Sequence, residues 1–154
     1  MNLLAIDPGV SCGLAWNVEL DLHHEVYHLG KEVAWNYRLA DLMRRMREII
    51  GPARINLVVV ERIQVPKSPR PHLIKLHRYV GVVMAVAGER QVAVIECGQN
   101  EWKKALGSGN MTPDQYRRAA KVVLKLKELP AADEAAALGM WWWGRRHAKE
   151  EIND

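Results

Sequence analysis

Three carboxylates far apart in the chain, Asp7, Glu61 and Asp133, are the residues best placed to do chemistry together. Asp7 closes the apolar run Leu3–Ile6 and is followed by Pro8-Gly9, so a strand stops there at a turn. Glu61 closes Leu57-Val58-Val59-Val60, an apolar, mostly β-branched run of the kind buried on both faces of a covered sheet. Asp133 falls in the first turn of a helix, and its neighbours on the same face, Ala136, Ala137, Met140 and Gly144, are small or apolar. Such a face packs close to a sheet and carries Asp133 inward. Taken singly, each acid has a plain explanation: a turn residue, a strand-end surface residue, a charge facing a helix dipole. Taken together they conflict, because burial and mutual repulsion disfavour three ionised carboxylates in one cleft. A divalent cation resolves the conflict. Oxygen-only donors select a hard ion, which favours Mg²⁺ or Mn²⁺ over zinc. An ion held by such a set supports metal-assisted hydrolysis.

These acids need a sheet to hold them. Leu3 to Asp7, Cys12 to Trp16 and roughly Glu25 to Leu29 read as three strands of an antiparallel meander. Trp35 to Ile50 has helical periodicity, with Trp35, Leu39, Leu42, Met43, Met46, Ile49 and Ile50 on one face, and Gly51-Pro52 ends it. After the strand at Leu57, Val65 to His72 reads as a Pro-rich basic loop, and a helix follows from Leu73 to Gly88. Its second half, Val80 to Ala87, is apolar on every side, which fits either deep burial or a subunit contact. Val92 to Ile95 is a short strand. Thr112-Pro113-Asp114 starts another helix, and the last helix is expected from Pro130 to about His147. The order β-β-β-α-β-α-β-α-α predicts an α/β fold, a mixed five-stranded sheet with helices on both faces, in one unit spanning 1–154.

Composition agrees. Hydrophobic residues make up 49% and charged residues 26%, enough for a core and ordinary for a globular domain. The two cysteines, Cys12 and Cys97, show no metal or disulfide spacing and read as small buried residues. No apolar run is long enough for a membrane span, and the first residues do not resemble a signal peptide. A cytoplasmic location is therefore expected. Net charge is +4, which permits a polyanionic partner without requiring one. Trp141-Trp142-Trp143 spreads over about 200° of helix, so the three indoles are not expected to face one core. His23, His24 and His28 read as polar positions on an edge strand and its turn.

Leu4-Ala5-Ile6-Asp7-Pro8-Gly9 with Gly13, Val58-Val59-Val60-Glu61, Trp102 to Gly109 and Pro130 to Ala137 resemble, in order, four motifs of the RuvC family of Holliday-junction resolvases. The resemblance spans nearly the whole chain. It implies an RNase H-like fold, a homodimer, and cleavage of four-way DNA junctions with two metal ions per site, on the nucleoid or in a phage-infected cell. Asp7, Glu61 and Asp133 match the family's acidic ligands. Asp7 would bridge both ions, Glu61 and Asp133 would each complete one, and Lys103 or Lys104 would stabilise charge on the phosphate. Arg62, Lys67, Arg70, Lys75 and Arg78 after the second acid, Lys103 and Lys104 before the Gly-Ser-Gly break, and the stripe Arg118, Lys121 and Lys125 are the expected DNA contacts. A solvated helix face is the plain alternative for that stripe.

Three departures mark a divergent branch. The family's further ligand, three residues before the last Asp, is Pro130 here, which leaves Glu134 or Glu128 as candidates for a fourth donor. Ile63 and Gln64 stand where some members carry an aromatic wedge. Pro113 stands near a basic position of others. Two rival readings stay open: an RNA-processing nuclease of the same fold, and a junction-binding protein that does not cut. A nucleotide-binding module of the sugar-kinase and actin type is disfavoured, because no second Gly-rich phosphate turn is present.

Overall fold

The structure, a computed structural model, describes residues 1–63 and 71–151. Its elements are β1 (Leu3–Asp7), β2 (Ser11–Val18), β3 (Asp21–His28), α1 (Trp35–Ile50), β4 (Leu57–Glu61), α2 (Pro71–Glu89), β5 (Ala93–Cys97), α3 (Gln99–Leu106), α4 (Pro113–Val123) and α5 (Ala132–Glu151). One five-stranded sheet has the order β3-β2-β1-β4-β5. β1, β4 and β5 are parallel, and β2 is antiparallel to β1 and β3. The expected mixed sheet with helices on both faces is therefore present, with β1 at its centre.

Strand periodicity divides the core in two. Leu4, Ile6, Val58 and Val60 face one way, with Leu42, Met46 and Ile49 of α1 and Tyr79, Val83 and Val86 of α2. Leu3, Ala5, Leu57 and Val59 face the other way, with Trp102 and Leu106 of α3, Ala120 of α4, and the apolar residues of α5. Asp7 and Glu61 continue the second series, so both point toward the face that α5 covers.

Several boundaries differ from the sequence reading. β3 begins at Asp21 rather than near Glu25, because its pairing to β2 runs from Val18↔Asp21 to Ser11↔His28. Its half-exposed polar residues hide that length from any apolar pattern. The helix expected from Leu73 begins at Pro71, a residue suited to a first turn. Residues 64–70 of the expected basic loop, including Lys67 and Arg70, lie outside the described residues. The last helix begins at Ala132, not Pro130: Ala135 N–H donates to Ala131 O, which makes Ala131 the cap. Helix α3 was not expected, since its eight residues carry only Trp102 and Leu106 as buried positions.

The three tryptophans share a core after all. Trp141 and Trp143 are 8% and 7% exposed, and Trp142 packs partly buried in the same cluster. A helix with the sheet beneath it and α3 and α4 alongside can bury most of its circumference. The Trp141 indole N–H donates to Asn17 Oδ1 at 3.1 Å, and the Leu3 N–H donates to the same oxygen at 3.0 Å. That satisfies the one polar side chain found fully inside the core among the described residues. The apolar half of α2 divides: Val80, Val83, Val86 and Ala87 are buried, while Met84 is 43% exposed; nearer the helix start, Ile74 is 53% exposed.

Candidate active site

The register of β1 against β4 is Leu3↔Leu57 through Ile6↔Val60, so the next residues along, Asp7 and Glu61, end their strands side by side. Antiparallel pairing sets Asp7 opposite Gly13 of β2. Gly13 is where α5 arrives. A Cβ added there would overlap the backbone carbonyl of Asp133 and lie 3.0 Å from the Glu134 nitrogen, so only glycine lets the start of α5 rest on the sheet at this point. The third acid thereby joins the first two.

The electrostatics reflect that convergence. Burial pushes the Asp7 carboxyl well above the ordinary carboxylate range, and the charges of Glu61 and Asp133 push it further. Burial also raises Glu61, opposed by a hydrogen bond from Trp102 and by the charge of Lys103. Asp133 is raised by burial and partly offset by His28. All three shifts disfavour the metal-free ionised cluster. The donors are carboxylate oxygens alone, a set that suits hard divalent cations. As they stand, no three His, Cys, Asp or Glu side chains among the described residues are drawn around a single point closely enough to hold an ion. The carboxylates converge on one end of the sheet without closing.

The surroundings come mainly from α3 and α4. Trp102, 1% exposed, donates its indole N–H to Glu61 Oε1 at 3.4 Å. A Cβ at Gly139 of α5 would press on the Trp102 ring at 2.6 Å, so glycine there makes room for the indole. Tyr116 packs edge-on against Trp102, with centroids 5.2 Å apart. Its hydroxyl is raised by burial and by the charges of Asp7, Asp133 and Glu61. Lys103 Nζ stands 5.5 Å from both ring centroids. Of the two lysines, it is Lys103 that faces the acids, whereas Lys104 is exposed and its chain lies along Gly109. The sequence reading placed Tyr116 only on the apolar face of its helix. The missing signal was α3, without which nothing sets Trp102 and Tyr116 over the acids.

Other expected site residues are engaged elsewhere. Glu134 Oε2 accepts from the Ala131 N–H at 2.9 Å and Oε1 meets His24 Nδ1. It therefore caps α5 from its third position and ties it to β3, instead of turning to Asp7. Pro130 precedes the helix, and its carbonyl accepts from Arg117 Nε at 2.7 Å. Glu128 is exposed and lines a surface cleft with His24, Leu126, Pro130 and Glu134. Arg62 lies 4.0 Å from both Glu96 and Glu101. Lys125 falls beyond α4 with a φ of 54°, so Arg118, Lys121 and Lys125 do not form one helical stripe. Each edge-strand histidine has its own neighbour: His23 stacks on Trp16, His24 meets Glu134 and His28 Nδ1 lies 3.2 Å from Ser11 Oγ. Cys12 and Cys97 are free and buried, and burial pushes both thiols up to about 12.

Known proteins resemble this chain in sequence and fold. Residues 3–141 match the family model described as crossover junction endodeoxyribonuclease RuvC. A Shewanella woodyi protein of that name is 30% identical over 145 residues, covering 90% of this chain and 83% of its own. One from Pseudothermotoga lettingae is 25% identical over 150 residues, covering 92% of each. The Thermus thermophilus RuvC structure superposes with a TM-score of 0.80 at 26% identity, covering 98% of this chain and 97% of that one. A second T. thermophilus RuvC structure, in complex with a Holliday junction substrate, gives 0.81 at 24% identity, covering 97% and 95%. The sheet order, the helices on both faces and these similarities together make this an RNase H-like chain that belongs to the crossover junction endodeoxyribonuclease RuvC family.

Proposed function

We propose that this chain is a divalent-metal-dependent endonuclease that resolves four-way DNA junctions by paired nicks, acting as a homodimer with Asp7, Glu61 and Asp133 as its metal ligands. The observation that carries the reading is the placement of Asp133 on Gly13, opposite Asp7, at the strand end that also bears Glu61. Magnesium or manganese, two ions per site, fits the all-carboxylate donor set. The bound ions supply charge neutralisation at the scissile phosphate and a lowered pKa for the attacking water.

The chain's own groups do the rest. The three carboxylates hold the ions and fix where the phosphate sits. Lys103, held over Trp102 and Tyr116, offsets negative charge beside Glu61 and is the cation placed to meet the phosphate. Trp102 anchors Glu61 from beneath. Lys75, Arg78, Lys104, Arg118, Lys121 and Lys125 are proposed backbone contacts, together with Lys67 and Arg70. The exposed apolar positions of α2, Ile74 and Met84, support a subunit contact along that helix, because burying them removes apolar surface from water.

Cleavage of a labelled four-way junction beside linear duplex, in Mg²⁺ or Mn²⁺, tests the reading. Paired nicks confined to the junction and lost in Asp7→Asn are expected. Tight junction binding without nicking would favour a non-cutting junction binder instead. Cleavage of structured RNA in preference to the junction would move the substrate to RNA.

A further inference from the structure

Four of the helix-borne arginines are matched to carboxylates. Arg44 meets Asp41 and Glu48, Arg45 meets Glu25 and Glu48, Arg47 meets Glu89, and Arg117 meets Asp114. Around Trp35 three cations gather on a single ring without such partners. The Arg38 guanidinium of α1 stands 5.4 Å from the centroid of the Trp35 ring. The Arg78 guanidinium and Lys75 Nζ of α2 stand 5.3 Å and 6.0 Å from the same ring. Among the described residues, none of these cations has a carboxylate within ion-pair distance, and neither helix carries an acid in its first turn. Arg38 Nε is buried and has no hydrogen-bond partner.

Three like charges around one indole repel one another, and the attraction of each to the ring is modest when it remains hydrated. An anion between them relieves the repulsion. The ring itself is fixed, since Trp35 packs on the buried Tyr79 with centroids 5.4 Å apart.

The topology places this cluster at the end of the sheet that bears the acids. β3 ends beside the start of β2, which lies beside the end of β1, and α1 begins six residues beyond Leu29. α2 ends at Glu89, just before the start of β5 at the far edge of the sheet, so its first turns lie at the acid end. The cluster therefore sits on the α1/α2 face at the end of the sheet where β1 and β4 stop, and the carboxylates face the other way.

We propose that Trp35, Arg38, Lys75 and Arg78 form a phosphate-binding platform that holds the DNA backbone on the α1/α2 side of the active-site end. This rests on the reading of the chain as a DNA nuclease and adds Arg38 and Trp35 to its DNA surface. A polyanionic strand fits better than a single anion, because three cations spread around one ring face more than one phosphate.

The test is the salt dependence of binding by the full chain to a labelled four-way junction and to linear duplex. The wild type is compared with the combined Arg38→Gln, Lys75→Gln, Arg78→Gln variant and with the single Lys75→Gln and Arg78→Gln variants, both at exposed positions. A control carries Arg54→Gln and Arg90→Gln, exposed and at the opposite end of the sheet. Each phosphate contact contributes about 0.9 to the slope of log K against log salt. The combined variant is expected to lose about 2 to 3 in slope, each single variant about 1, and the control nothing. An unchanged slope in a folded combined variant would overturn the platform, as would an equal loss in the control. A change in the oligomeric mass of the combined variant with no change in slope would assign the surface to a second copy of the chain and also overturn it. Because duplex is measured too, the comparison decides even if the wild type cuts no junction. A wild type that binds DNA steeply but does not cut would sink only the nuclease reading.

Discussion

Gly13 and Asp133 meet backbone to backbone: a methyl group on Gly13 would overlap the Asp133 carbonyl carbon and oxygen. Main-chain atoms at the start of a packed helix cannot rotate away as the tip of a side chain can. Gly13→Ala is therefore expected to push the first turn of α5 off the sheet, at a cost of about 1–3 kcal/mol typical of overpacking. Cleavage should fall far more than stability, because Asp133 moves with its helix. Thermal unfolding and junction cleavage of the same sample check this. A variant with wild-type cleavage would show that the contact does not set the site.

The pH dependence of the metal-free protein has a definite sign. The Asp7 carboxyl is raised by burial and by its acidic neighbours, so the folded state holds its proton more tightly than the unfolded state does. Stability should then fall as pH rises from the ordinary carboxylate pKa through the higher folded value, and the loss is complete above it. Asp7→Asn removes this titration. In EDTA, the variant should be more stable than wild type near neutrality, with the difference shrinking toward acid pH, while remaining inactive.

Metal should reverse that penalty. A divalent ion bound only by the folded state stabilises by mass action, about 2.7 kcal/mol at a hundred times its Kd. Wild type is expected to gain several degrees in Tm on adding excess Mg²⁺ or Mn²⁺, and Asp7→Asn and Asp133→Asn to gain much less. Equal shifts in all three would place the binding somewhere else.

Glu134 and Asp133 are neighbours with opposite assignments. Glu134→Ala removes a helix cap and the His24 contact, an expected loss of about 1 kcal/mol with the metal-induced Tm shift retained. Were Glu134 a ligand, that shift would shrink as it does for Asp133→Asn.

The two lysines before the Gly-Ser-Gly break should separate in kinetics. Lys103→Ala removes the charge held over Trp102 and Tyr116 and is expected to lower the single-turnover rate by about a hundredfold, the scale of losing one group aimed at developing charge. Lys104→Ala should produce the smaller loss, and mainly in DNA affinity. The reverse order would overturn the assignment.

The acids at the strand ends were legible because strand periodicity is strict: an apolar run of fixed parity that stops at a carboxylate states which face the carboxylate shares. The close seat of α5 was legible too, from its small residues. Helix α3 was not, since two buried residues in eight give no period, and with it went the roles of Trp102 and Tyr116. The length of β3 was masked because an edge strand needs backbone partners more than apolar side chains. The tryptophan triplet misled because a sequence read one helix at a time does not reveal that neighbours flank it on more than one side. Pairing preferences such as Glu134 with Ala131 depend on where the helix starts, and two residues of error at Pro130 were enough to hide the cap.

The acids lie on β1, β4 and α5, and α5 follows every strand of the sheet in chain order. A chain still emerging from the ribosome carries all five strands before α5, and of the three acids it holds only Asp7 and Glu61. With Asp7, Glu61 and Asp133 as the proposed ligands, the metal site is completed last during synthesis. A nascent or truncated chain without α5 lacks both Asp133 and the cover that buries Leu3, Ala5, Leu57 and Val59.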